Sequence, residues 1–293
     1  MMHAIKVNSL SKYYGRSRGV INLNFSVSQG ETYGFIGPNG AGKSTTIRIL
    51  LNLLFPTSGS AEVLGMDSIK DGKMIRRKVG FVPSEVNFYN YMRVIDLLKY
   101  SARFYKVSLN GYFKRLVDTL EIDINRKIED LSMGNRKKVA VAQALIHRPE
   151  LLILDEPTSG LDPLIQSRFF EIIREENKRG TTVFLSSHIL SEVEKLCHRV
   201  AIIKEGRIIR EDNISHLKST QMSRVRLHLS VRGSSVKLDT TGIIDRRDSS
   251  DEISFLFKGD NQQLLKELSK LPIIRVNIEE PDLEEVFLHY YKK

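Results

Sequence analysis

The sequence predicts an α/β fold with a mostly parallel core sheet covered on both faces, followed by a small C-terminal α+β domain. Short, continuously apolar runs predict buried parallel strands, and helix-like segments at residues 163–178 and 188–198 separate them. That alternation is typical of a doubly covered parallel sheet. After about residue 216 the pattern changes, which predicts the second domain. The apolar runs are LLILD (151–155), TTVFLSS (181–187) and VAIIKEG (200–206).

The N-terminal part adds strands and a first helix. Residues 5–36 alternate as strands do, and INLNFSV (21–27) and TYGFI (32–36) each end near a glycine. A helix is predicted to begin at Lys43 and to continue until the FPTSG turn (55–59) stops it. Its apolar positions are Ile47, Ile49, Leu50, Leu53 and Leu54.

Two domains are predicted. Residues 91–149 have helical periodicity and little strand signal, so a helical insertion is predicted at about 84–149 within a first domain of residues 1–215. Residues 216–293 are predicted to form the second domain. Its predicted strands are VRLHLSV (225–231), ISFLF (253–257) and IIRVNI (273–278), its helices QQLLKELSK (262–270) and PDLEEVFLHYYKK (281–293), and its loops Ser234 to Val236 and Arg246 to Asp251.

Composition and charge limit the function classes. The 293 residues are 41% hydrophobic, and the longest apolar stretches fall far short of the roughly 20 residues of a membrane-spanning helix. The N-terminus lacks signal-peptide features and the only cysteine is Cys197, so a cytosolic protein without an intrachain disulfide is expected, with Cys197 as a buried apolar residue. The net charge of +10, spread without a long basic run, indicates an anionic partner or a surface near a membrane.

The segment GPNGAGKS, Gly37 to Ser44, matches the phosphate-loop pattern of glycine, four residues, glycine, lysine and serine. It follows an apolar strand and opens a helix, so backbone N–H groups and the helix N-terminus can converge on a polyphosphate. Lys43 is expected to reach the β- and γ-phosphates, and the Ser44 hydroxyl to bind Mg²⁺. The predicted nucleotide-binding residues here are Gly37, Pro38, Asn39, Gly40, Ala41, Gly42, Lys43, Ser44 and Thr45.

A second element, LLILDEP (151–157), is an apolar strand that ends in two acids. Asp155 would lie at the C-terminal edge of the sheet beside the phosphate loop, where it can hold Mg²⁺. Glu156 would project toward the nucleotide and is the candidate for polarising the attacking water. The two elements together predict a nucleotide site with a bound Mg²⁺.

Further motifs carry a family resemblance. LSMGN (131–135) resembles the LSGGQ signature of ATP-binding cassette (ABC) proteins, and SGLD (159–162) resembles their D-loop. His188 follows a predicted strand at the position of the family's switch histidine, and Tyr14 matches the aromatic residue that stacks on adenine. These motifs cover roughly residues 4–210 in family order. The chain resembles an ABC-type P-loop nucleotide-binding domain, with an antiparallel β subdomain and a helical subdomain beside the core sheet.

The resemblance implies that ATP is bound and hydrolysed. Lys43, Glu156 and His188 would be the catalytic residues, and His188 would donate to the γ-phosphate and orient the water. Tyr14 is the candidate for stacking on adenine, and neighbouring Tyr13 is the alternative.

The resemblance also implies a head-to-tail dimer around two ATP molecules. In the family, the signature of one subunit faces the ATP bound by the other. Ser132 and the Gly134 backbone, at the start of a predicted helix, form a corner suited to a γ-phosphate. Asp162 of the D-loop is the third predicted residue on this side of the site.

The chain departs from the family pattern at two places. The family's Q-loop glutamine, which touches Mg²⁺ and the membrane partner, would align with Ser84, followed by Glu85. Serine is too short to do the same directly, so either a water bridges from Ser84 to the metal or Glu85 takes part. In the signature, Met133 replaces a glycine and adds bulk beside the phosphate corner, and Asn135 replaces glutamine but keeps an amide.

One phosphate loop and no sustained heptads disfavour two-cassette translation factors and coiled-coil repair ATPases. The resemblance then implies a transporter subunit, a homodimer or paired cassette on the inner face of the cell membrane. A separate transmembrane permease would dock near a groove formed by residues 84–105, and no specific nucleic acid is expected. The segments GFVPSEVNFYNYM (80–92) and EEPDLEEVFLHYYKK (279–293) resemble exporters of the drug, antibiotic and polypeptide class.

Two interpretations stay open at the level of sequence. The alternative to a transport ATPase is a soluble regulatory or nucleic-acid-linked cassette that uses the charge of +10, and steeply salt-dependent binding to RNA or DNA would distinguish it. The C-terminal domain is expected to brace the dimer, with regulation or partner docking as the alternative.

Overall fold

A computed structural model of the chain describes residues 2–219, 222–230, 238 and 240–279. It divides the chain into two compact units, Met1–Asp212 and Asn213–Lys293. The helix predicted in residues 281–293 and the loop predicted at Ser234 to Val236 lie outside the described residues.

The core of the first unit is a six-stranded sheet. Its strands, in spatial order, are β10 (Arg207–Asn213), β9 (Arg199–Lys204), β3 (Thr32–Ile36), β8 (Thr182–Ser187), β7 (Leu151–Asp155) and β6 (Val79–Val82). The five strands from β9 to β6 are parallel. Every residue of β3, β7 and β8 is buried, as expected for parallel strands covered on both faces. The predicted fold class is confirmed.

A second, antiparallel sheet covers one face of the core sheet. Its order is β2 (Ser17–Ser28), β1 (His3–Tyr14), β4 (Ser58–Val63) and β5 (Met66–Asp67). Phe25 of this sheet packs against Phe35 and Phe184 of the core sheet, with ring centroids 5.5 and 6.0 Å away. Helix α1 (Lys43–Leu50) contacts β2, β4 and β7, so it lies between the two sheets.

The other helices of this unit pack around the core sheet. Gly34 and Phe35 are adjacent on β3, so they lie on opposite faces of the core sheet. A Cβ on Gly34 would lie 2.7 Å from Val193 Cγ1, which shows that the helix containing Val193 covers the face opposite Phe35. None of the helices in the described part of the chain combines the length and the apolarity needed to cross a bilayer. The helices are α2 (Gly72–Lys78), α3 (Val94–Tyr105), α4 (Gly111–Thr119), α5 (Met133–Leu145), α6 (Pro163–Lys178) and α7 (Leu190–Leu196).

Helix α1 ends earlier than its apolar pattern predicts. The prediction carried it through Leu54, whereas the helix ends at Leu50. Asn52 has a left-handed backbone with φ of 54°, and the N–H of Leu53 donates to Arg48 O at 2.8 Å. A left-handed residue followed by this back-reaching hydrogen bond is a common helix stop, and asparagine tolerates the conformation.

The second unit contains an antiparallel sheet and two helices within its described residues. The strands, in spatial order, are β12 (Ile243–Asp248), β13 (Glu252–Lys258), β11 (Met222–Leu229) and β14 (Ile273–Glu279), and the helices are α8 (Ile214–Ser219) and α9 (Asn261–Leu268). Leu264 and Leu268 of α9 pack with Val225, Leu227 and Phe255 of the sheet in one apolar cluster.

The loop predicted at Arg246 to Asp251 is wrong in its first half, because β12 extends to Asp248. This strand lies at the edge of its sheet, where polar side chains face solvent and leave no apolar signal. Arg246 and Asp248 lie two residues apart on one face, and their side chains form an ion pair at 2.8 Å.

Candidate functional site

The phosphate loop, residues 37–45, connects the end of β3 to the start of α1. Gly42, the residue before the helix, has φ of 112°, and a Cβ there would lie 2.6 Å from Val20 Cγ1. A Cβ on Gly37 would lie 2.3 Å from Ile203 O. Only glycine fits at these two positions, and the loop therefore presents its backbone at the helix N-terminus, where a phosphate is stabilised.

Lys43 is only 5% exposed and its ammonium is held inside the loop. Its Nζ donates to Gly37 O at 2.7 Å and to Pro38 O at 3.2 Å, and lies 3.4 Å from Glu156 Oε1. The cation is thus fixed within the loop and beside the acid predicted to act on water.

Ser44 and Asp155 meet as the sequence predicts. The Ser44 hydroxyl donates to Asp155 Oδ2 at 2.8 Å, and the Ser186 hydroxyl donates to Asp155 Oδ1 at 2.9 Å. Asp155 ends β7 and is 3% exposed, beside its sheet neighbour Ser186 on β8. A hydroxyl and a carboxylate oxygen side by side at a phosphate site are ligands that Mg²⁺ accepts, so Ser44 and Asp155 fit that ion.

Glu156 contacts both of the other predicted catalytic residues. Its Oε1 lies 3.1 Å from His188 Nδ1 as well as 3.4 Å from Lys43 Nζ. Its φ is +48°, a conformation that costs a non-glycine residue about 1–3 kcal/mol. The N–H of Glu156 donates to Ser186 O at 2.9 Å, which helps to hold this backbone. The carboxylate is therefore aimed between a cation and an imidazole at the edge of the sheet.

A cleft of about 280 Å³ opens over the phosphate loop. Tyr14 lines it together with Lys43, Ser44 and Glu156, and the Tyr14 hydroxyl lies 3.3 Å from Thr45 Oγ1. The Tyr14 ring is 45% exposed and so offers a face to a base. Adjacent residues on a strand point to opposite sides, which favours Tyr14 over the alternative, Tyr13.

The signature residues lie at an exposed helix start. Ser132 caps α5, and its hydroxyl accepts from the N–H of Asn135 at 3.3 Å. A Cβ on Gly134 would lie 2.3 Å from Gly160 O, so glycine is required where the signature packs against the D-loop. Met133, which was expected to add bulk beside the phosphate corner, is 67% exposed.

Asp162 caps the next helix on this side. Its carboxylate accepts from the N–H of Ile165 at 3.0 Å, and this backbone hydrogen bond lowers the pKa of Asp162. Asp162 is exposed, as Ser132 is. We call Ser132, Gly134 and Asp162 the signature half of the site. The phosphate-loop half comprises residues 37–45 with Tyr14, Asp155, Glu156 and His188.

Two buried charged residues that sequence reasoning missed support the catalytic loops. Glu192 is 4% exposed and accepts from the hydroxyls of Thr158 and of Ser187, the latter at 2.9 Å. Lys137, 1% exposed, donates to backbone carbonyls that include that of Ser84. A signal for Lys137 existed, since it shares a helix face with Ala140, Val141 and Ala144, which are all buried.

Comparisons with known proteins identify relatives over nearly the whole chain. The bacitracin transport ATP-binding protein BcrA of Bacillus licheniformis is 35% identical over a gapped alignment of 299 positions, which covers 98% of this chain and 97% of that protein. The Nod factor export ATP-binding protein I of Rhizobium etli is 33% identical over 298 residues, covering 98% and 93%.

Solved structures and a family model agree with these relatives. An ATP-binding subunit of an ABC transporter is 28% identical with a TM-score of 0.68, covering 73% of this chain and 92% of that one. A dimeric bacterial ABC transporter cassette is 25% identical with a TM-score of 0.66, covering 72% and 98%. Residues 20–159 match the family model described as ABC transporter. The chain therefore belongs to the ABC transporter family, as one of its ATP-binding subunits.

Proposed function

We propose that this subunit hydrolyses ATP as a head-to-tail dimer and that hydrolysis powers export through a separate membrane protein. The observation that carries the proposal is the position of the Glu156 carboxylate, 3.1 Å from His188 and 3.4 Å from Lys43, beside the Ser44–Asp155 pair. A general base, a hydrogen-bond donor and a phosphate-binding cation thus converge on the phosphate loop.

Each residue has a distinct part in the reaction. Lys43 binds the β- and γ-phosphates, and Tyr14 stacks on the adenine. Glu156 accepts a proton from water while the oxygen of that water attacks the γ-phosphorus. The bond between the γ-phosphorus and the bridging oxygen breaks, and ADP leaves with its electrons. His188 donates to the γ-phosphate and holds the water in line. A Mg²⁺ held by Ser44 and Asp155 would neutralise charge on the phosphates.

The exposure of the signature half supports dimerisation. Ser132 and Asp162 cap helix starts at the surface of the chain, where N–H groups attract a phosphate. We place this half over the ATP bound by a second subunit. The similarity to a dimeric bacterial cassette supports this arrangement.

This subunit lies on the inner face of the cell membrane, and its transport partner is a separate transmembrane protein. Relatives carry names that specify bacitracin transport and Nod factor export, which supports the exporter interpretation and not the nucleic-acid-linked alternative. Residues 84–105 would form the docking surface, since four aromatic side chains there are largely exposed. They are Tyr89, Tyr91, Tyr100 and Phe104.

The chain is proposed to have two domains. The first is residues 1–215, with a helical insertion at about 84–149, and the second is residues 216–293, which braces the dimer.

The test is a pull-down of the tagged Glu156→Gln chain from its native membranes in ATP and Mg²⁺. We expect one polytopic membrane protein in stoichiometric amount, identified by mass spectrometry. The Lys43→Ala chain is the matched control, because it shares the docking surface but binds ATP more weakly and should retain less of the partner. Recovery of ribosomes or nucleic acid without such a protein would overturn the transport proposal.

A further inference from the structure

Lys137 is a buried lysine to which the proposed reaction assigns no step. It lies in the second turn of α5, five residues after Ser132, and is 1% exposed. Burial lowers the pKa of Lys137, while the nearby charges of Asp155 and Glu156 oppose that shift. An ammonium is expensive to bury, so its partners need an explanation.

The Lys137 ammonium has three N–H donors, and each has a backbone carbonyl as its acceptor. Its Nζ donates to Ser84 O at 2.7 Å, to Pro83 O at 2.9 Å and to Glu156 O at 3.3 Å. The first two carbonyls belong to the segment where the family has its glutamine. The third belongs to the proposed general base. One side chain therefore joins the signature helix, the Q-loop and the catalytic strand end.

The carbonyl of Glu156 is a sensitive point of attachment. Glu156 has φ of +48°, which a non-glycine residue adopts only where its surroundings hold it. Two hydrogen bonds do so, from Lys137 to the carbonyl and from the N–H to Ser186 O. A rotation of this backbone would swing the carboxylate away from Lys43 and His188.

The link also bears on the departure at Ser84. A glutamine in the Q-loop can touch the nucleotide site with its side chain, and serine is too short to do so. In this chain the connection between the same segment and the site is made through the Ser84 carbonyl, which does not depend on the residue type at position 84.

We propose that Lys137 is a positioning residue that fixes the Glu156 backbone and couples the Q-loop to it, in place of the missing glutamine. This inference rests on the proposed ATPase function. Residues 83–87 lie at one end of the proposed docking surface. When they move, the hydrogen bond from Lys137 to the Glu156 carbonyl changes, and the rate of hydrolysis changes with it. ATP affinity is unaffected, because the three carbonyls that Lys137 binds lie outside the phosphate loop.

Steady-state ATPase kinetics of Lys137→Met test the first part. We expect kcat to fall about 100-fold with KM within threefold of the unaltered chain, since a misplaced catalytic group costs rate and not binding. Lys114→Met, an exposed lysine on α4, is the matched control and keeps full activity. If Lys137→Met fails to fold, Lys137→Gln, whose amide keeps two donors, carries the test with a smaller loss. An unchanged kcat in a folded variant would overturn the inference.

A double-mutant cycle separates positioning from a general structural role. In the Glu156→Gln background, Lys137→Met should lower single-turnover hydrolysis by less than about threefold, because Lys137 acts through Glu156. A full additional loss would mean that Lys137 acts elsewhere.

Hydrogen exchange tests the coupling. ATP should change amide exchange in residues 84–87 of the unaltered chain and of Lys114→Met, but not of Lys137→Met. A retained ATP response would overturn the coupling. If the unaltered chain shows no ATP hydrolysis that Glu156→Gln removes, the proposed function fails. If Glu156→Gln removes hydrolysis but the Lys137 variants hydrolyse ATP at the rate of the unaltered chain, this inference alone fails.

Discussion

Asp155 and Lys43 are buried and hydrogen-bonded on the phosphate-loop half of the site, whereas Ser132 and Asp162 are exposed on the signature half. The first half is tied together by hydrogen bonds between α1, the loop after β3, β7 and β8. On the second half, the hydroxyl of Ser132 and the carboxylate of Asp162 hydrogen-bond within their own helix starts. The difference is the one that the proposed dimer requires, in which each chain supplies its own phosphate cradle and presents its signature half to a second chain.

The largest effect is expected at the centre of the phosphate-loop half. Glu156→Gln should lower kcat by about 10²–10⁴-fold, because an amide cannot accept the proton from water. ATP binding should persist and trap a dimer, which size-exclusion chromatography in ATP and Mg²⁺ would detect. A variant that still turns over freely would remove Glu156 from its assigned role.

Lys43→Ala should weaken ATP binding about 100-fold, since it removes charge-assisted hydrogen bonds to the phosphates. Equilibrium binding of a fluorescent ATP analogue measures this. Lys70→Ala, an exposed lysine outside the site, is the control. Unaltered affinity in Lys43→Ala would contradict the cradle that the loop geometry implies.

Ser132→Arg sharpens the comparison between the halves. It should lower the dimer's kcat by about 100-fold, because it removes a group that stabilises the γ-phosphate and adds bulk there. The affinity of the isolated chain for ATP should stay within twofold, since Ser132 serves the other subunit's nucleotide. A large loss of affinity in the isolated chain would place the signature in its own chain's site.

Glu192→Ala tests the support beneath the phosphate-loop half. The buried carboxylate accepts from Thr158 and Ser187, which flank Glu156 and His188 in sequence. Its removal leaves two buried hydroxyls without their acceptor and should lower kcat about 10-fold with KM little changed. Glu171→Ala, exposed on α6, is the control. Equal kcat in both variants would show that the loops containing Thr158 and Ser187 keep their positions without Glu192.

Tyr14→Ala should have the smallest effect. A half-exposed ring contributes about 1 kcal/mol by stacking on a base, so ATP affinity should fall about 5-fold. Tyr13→Ala is the matched control and should leave affinity unchanged. The opposite result would transfer the stacking role to Tyr13.

Local patterns predicted much of this molecule. The strand at Leu151 to Asp155 and the helix at Pro163 to Lys178 have the predicted bounds, because apolar runs, an aspartate cap and a proline at the helix start are local signals. The end of α1 was missed because Asn52 stops the helix through its backbone while the apolar residues continue. The edge strand β12 was missed because its polar residues give no periodic apolar signal.

The sequence also suggested the residues of the phosphate-loop half, but not the residues that support them. Lys137 and Glu192 hold the catalytic loops through partners 19 to 54 and 5 to 34 residues away in the chain. Such contacts depend on tertiary packing: the spacing of Lys137 on the apolar face of α5 indicates that it is buried, but nothing local indicates its partners, and no local signal marks Glu192. The left-handed backbone of Glu156 could not be predicted for the same reason.

The central claim, that one active site needs residues from two chains, is tested most directly by mixing two inactive variants. Ser132→Arg keeps a good phosphate-loop half and Lys43→Ala keeps a good signature half, so a mixed dimer has one intact composite site. Equal amounts should restore roughly a quarter of the unaltered ATPase rate, because random pairing makes half of the dimers mixed and each has one of two sites. No activity above that of the separate variants would contradict the account.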